Sequence, residues 1–184
     1  MSERAENHPS LRGVCDDLQR RLPSLYAVLD GSRIASLRDW LRAQGVPYQC
    51  LFQGEKAETL ADEAPYLIAF GTERDVLYRA ITSFHDQRAV TFIESSAGFA
   101  RVRRQLRRLL LVRSTYGEVM YFRIYDPQVA RSFLPLCRGK QLEYVFGDVI
   151  DTWLMEARIP QGLMAFRRAP AGAATAVAQA MVVR

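Results

Sequence analysis

Leu25–Asp30 constrains the fold more than any other segment. Its residues, Leu-Tyr-Ala-Val-Leu-Asp, put apolar side chains on both sides of an extended chain before Asp30-Gly31 turns it. A strand of that kind has to be covered on both faces, and the segments after it supply helices for the purpose. Ile34, Leu37, Trp40 and Leu41 make one helical stripe, with Gly45 as a left-handed stop and Pro47 beyond it. Tyr48–Phe52 and Pro65–Phe70 read as strands, separated by a polar, loop-like stretch with room for one helical turn. Thr72-x-x-Asp75 has the spacing of a capping box ahead of a helix that turns Leu77, Ala80, Ile81 and Phe84 inward. Val90–Ile93 is a fourth apolar run, and Ser95 or Ser96 is the expected cap of an arginine-rich helix with Phe99, Val102 and Leu106 inward. This rhythm predicts an α/β (mixed α+β) fold: a mixed β-sheet flanked by helices, followed by a C-terminal hairpin and helical segments.

After Leu109 the pattern changes. Leu109–Arg113 and Val119–Tyr125 read as an antiparallel hairpin, with Val119, Tyr121, Arg123 and Tyr125 on one face of its second strand. Asp126-Pro127 then fits the cap and first position of a helix that turns Val129 and Phe133 inward. Leu142, Val145 and Phe146 mark a further helix, stopped by Gly147. Thr152–Ala157 and Leu163–Arg168 read as a last hairpin around Pro160-Gln161-Gly162. The chain divides into a polar leader over 1–24, in which Leu11, Val14, Leu18 and Leu22 have helical spacing, a main domain over 25–147, and a hairpin with an apolar tail over 148–184.

Chemistry is sparse. There is no glycine-rich phosphate loop and no Gly-x-Ser-x-Gly elbow. The two histidines are His8 in the leader and His85 after a helix end, where a cation is mildly favoured; Ser83 points away from His85 on a helix. Cys15, Cys50 and Cys137 are odd in number and lack Cys-x-x-Cys spacing, which argues for a reducing compartment and against structural zinc. The N-terminal residues are polar and no apolar run reaches the roughly 18 residues of a membrane span, so the expected location is the cytoplasm. Asp30 and Asp126 both end strands and are the one carboxylate pair that could hold a metal or do acid–base work. A turn and a helix cap account for them more simply. Arg123, flanked by Phe122 and Ile124, needs an anionic partner if buried, and Asp30, or Asp126 by way of the turn, is the expected one. The net charge is +5, concentrated in Arg101, Arg103, Arg104, Arg107, Arg108 and Arg113, with no acidic residue between Glu94 and Glu118. Such a field fits an acidic protein surface, nucleic acid or an anionic membrane, or else simply a solvated helix face; no aromatic residues are interleaved for base stacking.

Several segments in this order resemble the bacterial type VI secretion adaptor family (Tap or TEC proteins). They are Leu25–Gly31, Trp40–Gly54, Ala64–Leu67, Leu109–Arg113 with Val119–Pro127, and Leu142–Gly147. Asp30, Arg123, Tyr125, Asp126 and Pro127 form the structural signature of the resemblance. It implies a cytoplasmic chaperone-adaptor without catalytic residues, metal or cofactor, which binds an effector and helps load it onto the VgrG spike. Cargo choice is then expected at the ends of the chain. Expected partner-facing residues are Arg101, Arg104 and Arg108 on the arginine helix, Trp153 and Met155 in the last hairpin, and Met181 and Val182 in the tail. The alternatives are nucleic-acid binding through the arginine helix, or a small metal-dependent enzyme using Asp30 and Asp126.

Overall fold

The computed structural model of the chain describes residues 9–157 and 162–167. Over the first part the elements are α1 (Pro9–Gln19), β1 (Leu25–Asp30), α2 (Leu37–Gln44), β2 (Tyr48–Cys50), α3 (Glu55–Thr59), β3 (Pro65–Ala69), α4 (Arg74–Phe84) and β4 (Val90–Glu94). They continue with α5 (Phe99–Leu109), β5 (Leu111–Arg113), β6 (Val119–Tyr121), α6 (Pro127–Phe133), α7 (Gly139–Phe146), β7 (Thr152–Glu156) and β8 (Leu163–Arg167). A six-stranded sheet runs β2-β3-β1-β4-β7-β8, and β5-β6 form a separate two-stranded ribbon.

The fold is of the mixed helix-and-sheet class that the sequence predicts, but every pairing in the sheet is antiparallel. The connections explain this. β1 and β2 run in the same direction with α2 between them in sequence, yet β3 lies between them in the sheet. β3 and β4 likewise share a direction, with β1 inserted. These are two interlocked split β-α-β units, the arrangement of ferredoxin-like folds.

β1 is buried along its whole length, and its alternate residues serve two separate cores. Leu25, Ala27 and Leu29 face α1, α2 and α4 through Leu18, Leu41 and Leu77. Tyr26 and Val28 face the α5, α6 and α7 side through Val102, Ala130 and Phe146. The leader helix α1 joins the first core with Leu11, Val14, Cys15 and Leu18. Burial pushes the Cys15 thiol up to about 11, well away from reactive thiolate chemistry. Gly31 must be glycine: a Cβ there would stand 2.5 Å from the Asp62 carbonyl oxygen and 2.6 Å from that of Ala64. No described helix is long and apolar enough to cross a membrane.

Three local expectations change. The Thr72 capping box does not form; α4 starts at Arg74 with Glu73 at the cap and no side-chain bond. Neither Ser95 nor Ser96 caps α5, which follows Gly98. Ser95 instead donates its hydroxyl to the Val149 carbonyl and accepts from the Ala97 N–H at 3.1 Å, because it is buried where the sheet meets the segment after α7. The strand expected over Val119–Tyr125 stops at Tyr121. The Phe122 N–H still donates to the Leu110 carbonyl at 2.9 Å, after which Arg123–Asp126 turns back, the Asp126 N–H donating to the Arg123 carbonyl. Arg123 and Tyr125 therefore leave the ribbon face on which Val119 and Tyr121 remain.

Candidate functional site

The turn at Arg123–Asp126 is held against the end of β1 by a charged cluster. Asp30 has no solvent exposure. Its Oδ1 accepts from the Ser32 N–H at 3.1 Å and the Ser32 hydroxyl at 2.8 Å. Its Oδ2 accepts from Arg123 Nη2 and lies 3.6 Å from Arg33 Nε. Arg33 Nη2 reaches Asp126 Oδ2 at 2.9 Å, so one guanidinium bridges both carboxylates. Asp126 also caps α6, its Oδ1 accepting from the Gln128 N–H at 2.8 Å, with Pro127 in the first turn. The Thr91 hydroxyl of β4 donates to the Tyr125 carbonyl at 2.7 Å. Tyr125 is buried, its pKa pushed up to about 12 by burial and then by Asp30, and the Arg123 guanidinium lies 5.6 Å from its ring centre. Asp30 is the Arg123 partner that the sequence suggests. Asp126 enters through Arg33, which sequence reasoning missed; its position three residues after Asp30 was the available signal. The carboxylates thus meet guanidinium, hydroxyl and amide donors, and the described residues include no group of three or more His, Cys, Asp or Glu fit for a metal.

A second cluster surrounds a small cavity of about 30 Å³, room for about one water, between Phe84, Phe92, Leu163, His85 and Glu156. His85 Nδ1 lies 3.0 Å from Asp86 Oδ2, and Glu156 accepts from the Asp86 N–H at 3.2 Å. Burial raises the Glu156 pKa above the ordinary carboxylate value, against a smaller opposing effect of His85. A carboxyl raised on folding binds its proton more tightly in the native state. Its contribution therefore favours folding at low pH and is lost as pH rises from the unfolded value through the raised folded one. Glu156→Gln is expected to be more stable than the native protein at neutral pH and to lose that advantage in acid, as read by denaturant midpoints across pH.

The surface offers more than these clusters do. The β5-β6 ribbon exposes Leu111, Val119, Met120 and Tyr121, and Tyr116 at its tip is 91% exposed. Neither outer edge of the ribbon pairs with another strand among the described residues. Between the ribbon and α7 lies a groove of about 550 Å³, floored by Val112, Phe122, Phe133, Tyr144 and Val145 and edged by Arg113 and Lys140. Phe122 and Phe133 meet edge-on with ring centres 4.8 Å apart. On the ribbon's other side Tyr121 packs edge-on against Phe52, and Lys56 sits 4.3 Å over its ring.

The expected partner-facing residues divide. Arg101, Arg104 and Arg108 are exposed on α5, and Arg101 pairs with Asp148 at 3.0 Å. Trp153 and Met155 are fully buried. They point from β7 into the second core because β7 pairs with both β4 and β8, so neither stands at the surface as a partner-facing residue would. Met181 and Val182 lie outside the described residues.

One family model matches the chain, over residues 25–144, and is described as Domain of unknown function (DUF4123). The match takes in well over half of the 184 residues. The chain belongs to this family. No curated protein and no solved structure matches it. The DUF4123 match ends at Tyr144, inside α7. α1, β7 and β8 fall outside it, yet all three contribute to the same two cores.

Proposed function

We propose that this DUF4123 protein is a non-enzymatic adaptor of the bacterial cytoplasm that binds a type VI secretion effector and helps load it onto the VgrG spike. The observation that carries this reading is the ribbon with its groove. Large apolar side chains stand exposed on a two-stranded ribbon whose edges are unpaired among the described residues, beside an aromatic-floored groove with a basic rim. Exposed large apolar side chains gathered on one small element point to a protein-binding site, and strand edges left unpaired among the described residues can pair with a partner strand. The order of segments in which the chain resembles the adaptor family supports the same reading. The carboxylates that an enzyme would use are spent on arginines and on the α6 cap, which supports an architectural role for them.

The direct test is co-purification of the full chain with the effector and VgrG encoded beside it. Val119→Asp combined with Met120→Asp is expected to abolish capture while leaving the melting midpoint nearly unchanged, since both side chains are exposed and surface changes usually stay within about 0.5 kcal/mol. Failure to capture any neighbouring candidate, or undiminished capture by the double variant, counts against the reading.

A further inference from the structure

The solvent side of α5 gathers four guanidiniums with no carboxylate against them. Arg103, Arg104, Arg107 and Arg108, with Ala100 and Gln53, line a groove of about 400 Å³. None of the four arginines makes an ion pair among the described residues. Arg103 donates to the Cys50 carbonyl at 3.1 and 3.3 Å, and Arg108 lies 5.3 Å from the Tyr144 ring centre. Arg107 Nε is buried with no hydrogen-bond partner among the described residues. Burial, and then the adjacent Arg103 charge, hold the Arg107 guanidinium below the usual arginine range.

This arrangement works against folding. Like charges one helical turn apart repel, and a buried donor without an acceptor carries its desolvation cost. A bound anion relieves the repulsion, and its charge favours the Arg107 guanidinium in the setting that disfavours it. The spacing narrows the choice of anion. Arg103 and Arg107, and again Arg104 and Arg108, are four residues apart, about 6 Å along the helix axis. Alternate side chains of an extended segment are about 6.8 Å apart, so acidic residues at i and i+2 come close to matching each pair. No aromatic ring lines the groove, so it lacks the aromatic stacking platform of single-strand nucleic-acid binders. Carboxylates on guanidiniums form the stronger, charge-assisted bonds.

We infer that this groove docks an extended acidic segment of a protein partner, with Asp or Glu on alternate residues. The surface adjoins the ribbon groove where Arg108 lies over the Tyr144 ring, but the two grooves share no lining residue; the protein thus has one salt-sensitive and one apolar docking face, and the two assignments can fail separately.

The test uses the full chain and a labelled peptide of about eight residues alternating Glu and Ser, long enough to span the groove extended. A Gln-for-Glu peptide and an oligothymidylate of similar length serve as comparisons. Fluorescence anisotropy is expected to show the Glu peptide binding about tenfold or more tightly than its Gln counterpart, with affinity falling as salt rises. Arg104→Gln with Arg108→Gln is expected to lose about tenfold or more, and to melt no lower than the native protein because the repulsion between the two arginines is removed. Arg42→Gln, on α2 at the opposite face of the sheet, is expected to stay within about twofold. Absent or equal binding of the two peptides by the native chain overturns the inference without any variant. So does unchanged affinity in the double variant. Tighter binding of the oligothymidylate, lost in that variant, would replace it with a nucleic-acid site.

Discussion

Arg33→Ala combined with Arg123→Ala is expected to lower the unfolding free energy by about 3 kcal/mol, measured by urea or guanidinium denaturation. The reason is the position of Asp30. Its side chain has no solvent exposure, and the double variant removes both guanidiniums that face Oδ2. What remains is Ser32, which satisfies Oδ1 alone. Breaking a buried pair and leaving its charge behind costs about 3–5 kcal/mol. The low end applies because Arg33 and Arg123 are themselves 37% and 41% exposed, so water screens part of the attraction. Either single variant is expected to cost less than half of the double, since the remaining arginine can shift toward the carboxylate; the two effects are coupled through one oxygen. Adding Asp30→Asn to the double variant is expected to recover part of the loss by removing the stranded charge. A double variant within about 1 kcal/mol of the native protein would show that the cluster is not a clamp.

The second large effect is expected at Trp153, where alanine should cost about 3–5 kcal/mol, the range for removing a large buried aromatic side chain. Trp153 is fully buried. By register it lies between Ile93 of β4 and Phe166 of β8, in the core that also holds Val28 and Phe146. Its indole N–H has no hydrogen-bond partner among the described residues, so Trp153→Phe gives up volume but also removes an unsatisfied donor and is expected to cost much less than alanine. Differential scanning calorimetry of the two variants separates a core role from a docking role. A partner-facing Trp153 would lower capture of the partner and leave the melting temperature unchanged. The buried geometry predicts the reverse for Trp153→Phe: a modest loss of melting temperature with capture intact.

The elements with local signals were legible in the amino-acid order. β1 was readable because a run with apolar side chains on both sides has no other stable home. α2 was readable because its stripe ends at Gly45, which adopts a φ of 69. The Asp126-Pro127 start of α6 was readable because capping is a matter of a few adjacent atoms. The Arg123–Asp30 pair was legible too, since a charge flanked by apolar neighbours needs a counter-charge and Asp30 ends the most buried strand.

Other features depended on contacts distant in sequence. The capping boxes expected at Thr72 and Ser95 lost to tertiary demands, most clearly at Ser95, which the Val149 carbonyl claims. The strand after Val119 ends early because Asp30 and Thr91, 93 and 34 residues away in sequence from their partners in the turn, hold Arg123 and Tyr125. A last hairpin containing Trp153 and Met155 could equally be a free arm or two sheet strands, because period-two alternation marks an inner face without naming what covers it. Pairing of β7 with β4 decided that question, and it moved the exposed apolar surface from the C-terminal hairpin to the β5-β6 ribbon. By itself the sequence determined which segments are strands and helices, where several of them stop, and that Arg123 needed a carboxylate. The tertiary structure alone decided strand order, the Arg33 bridge and which apolar residues remain outside, because burial depends on what packs against a side chain and a local pattern does not contain its neighbours.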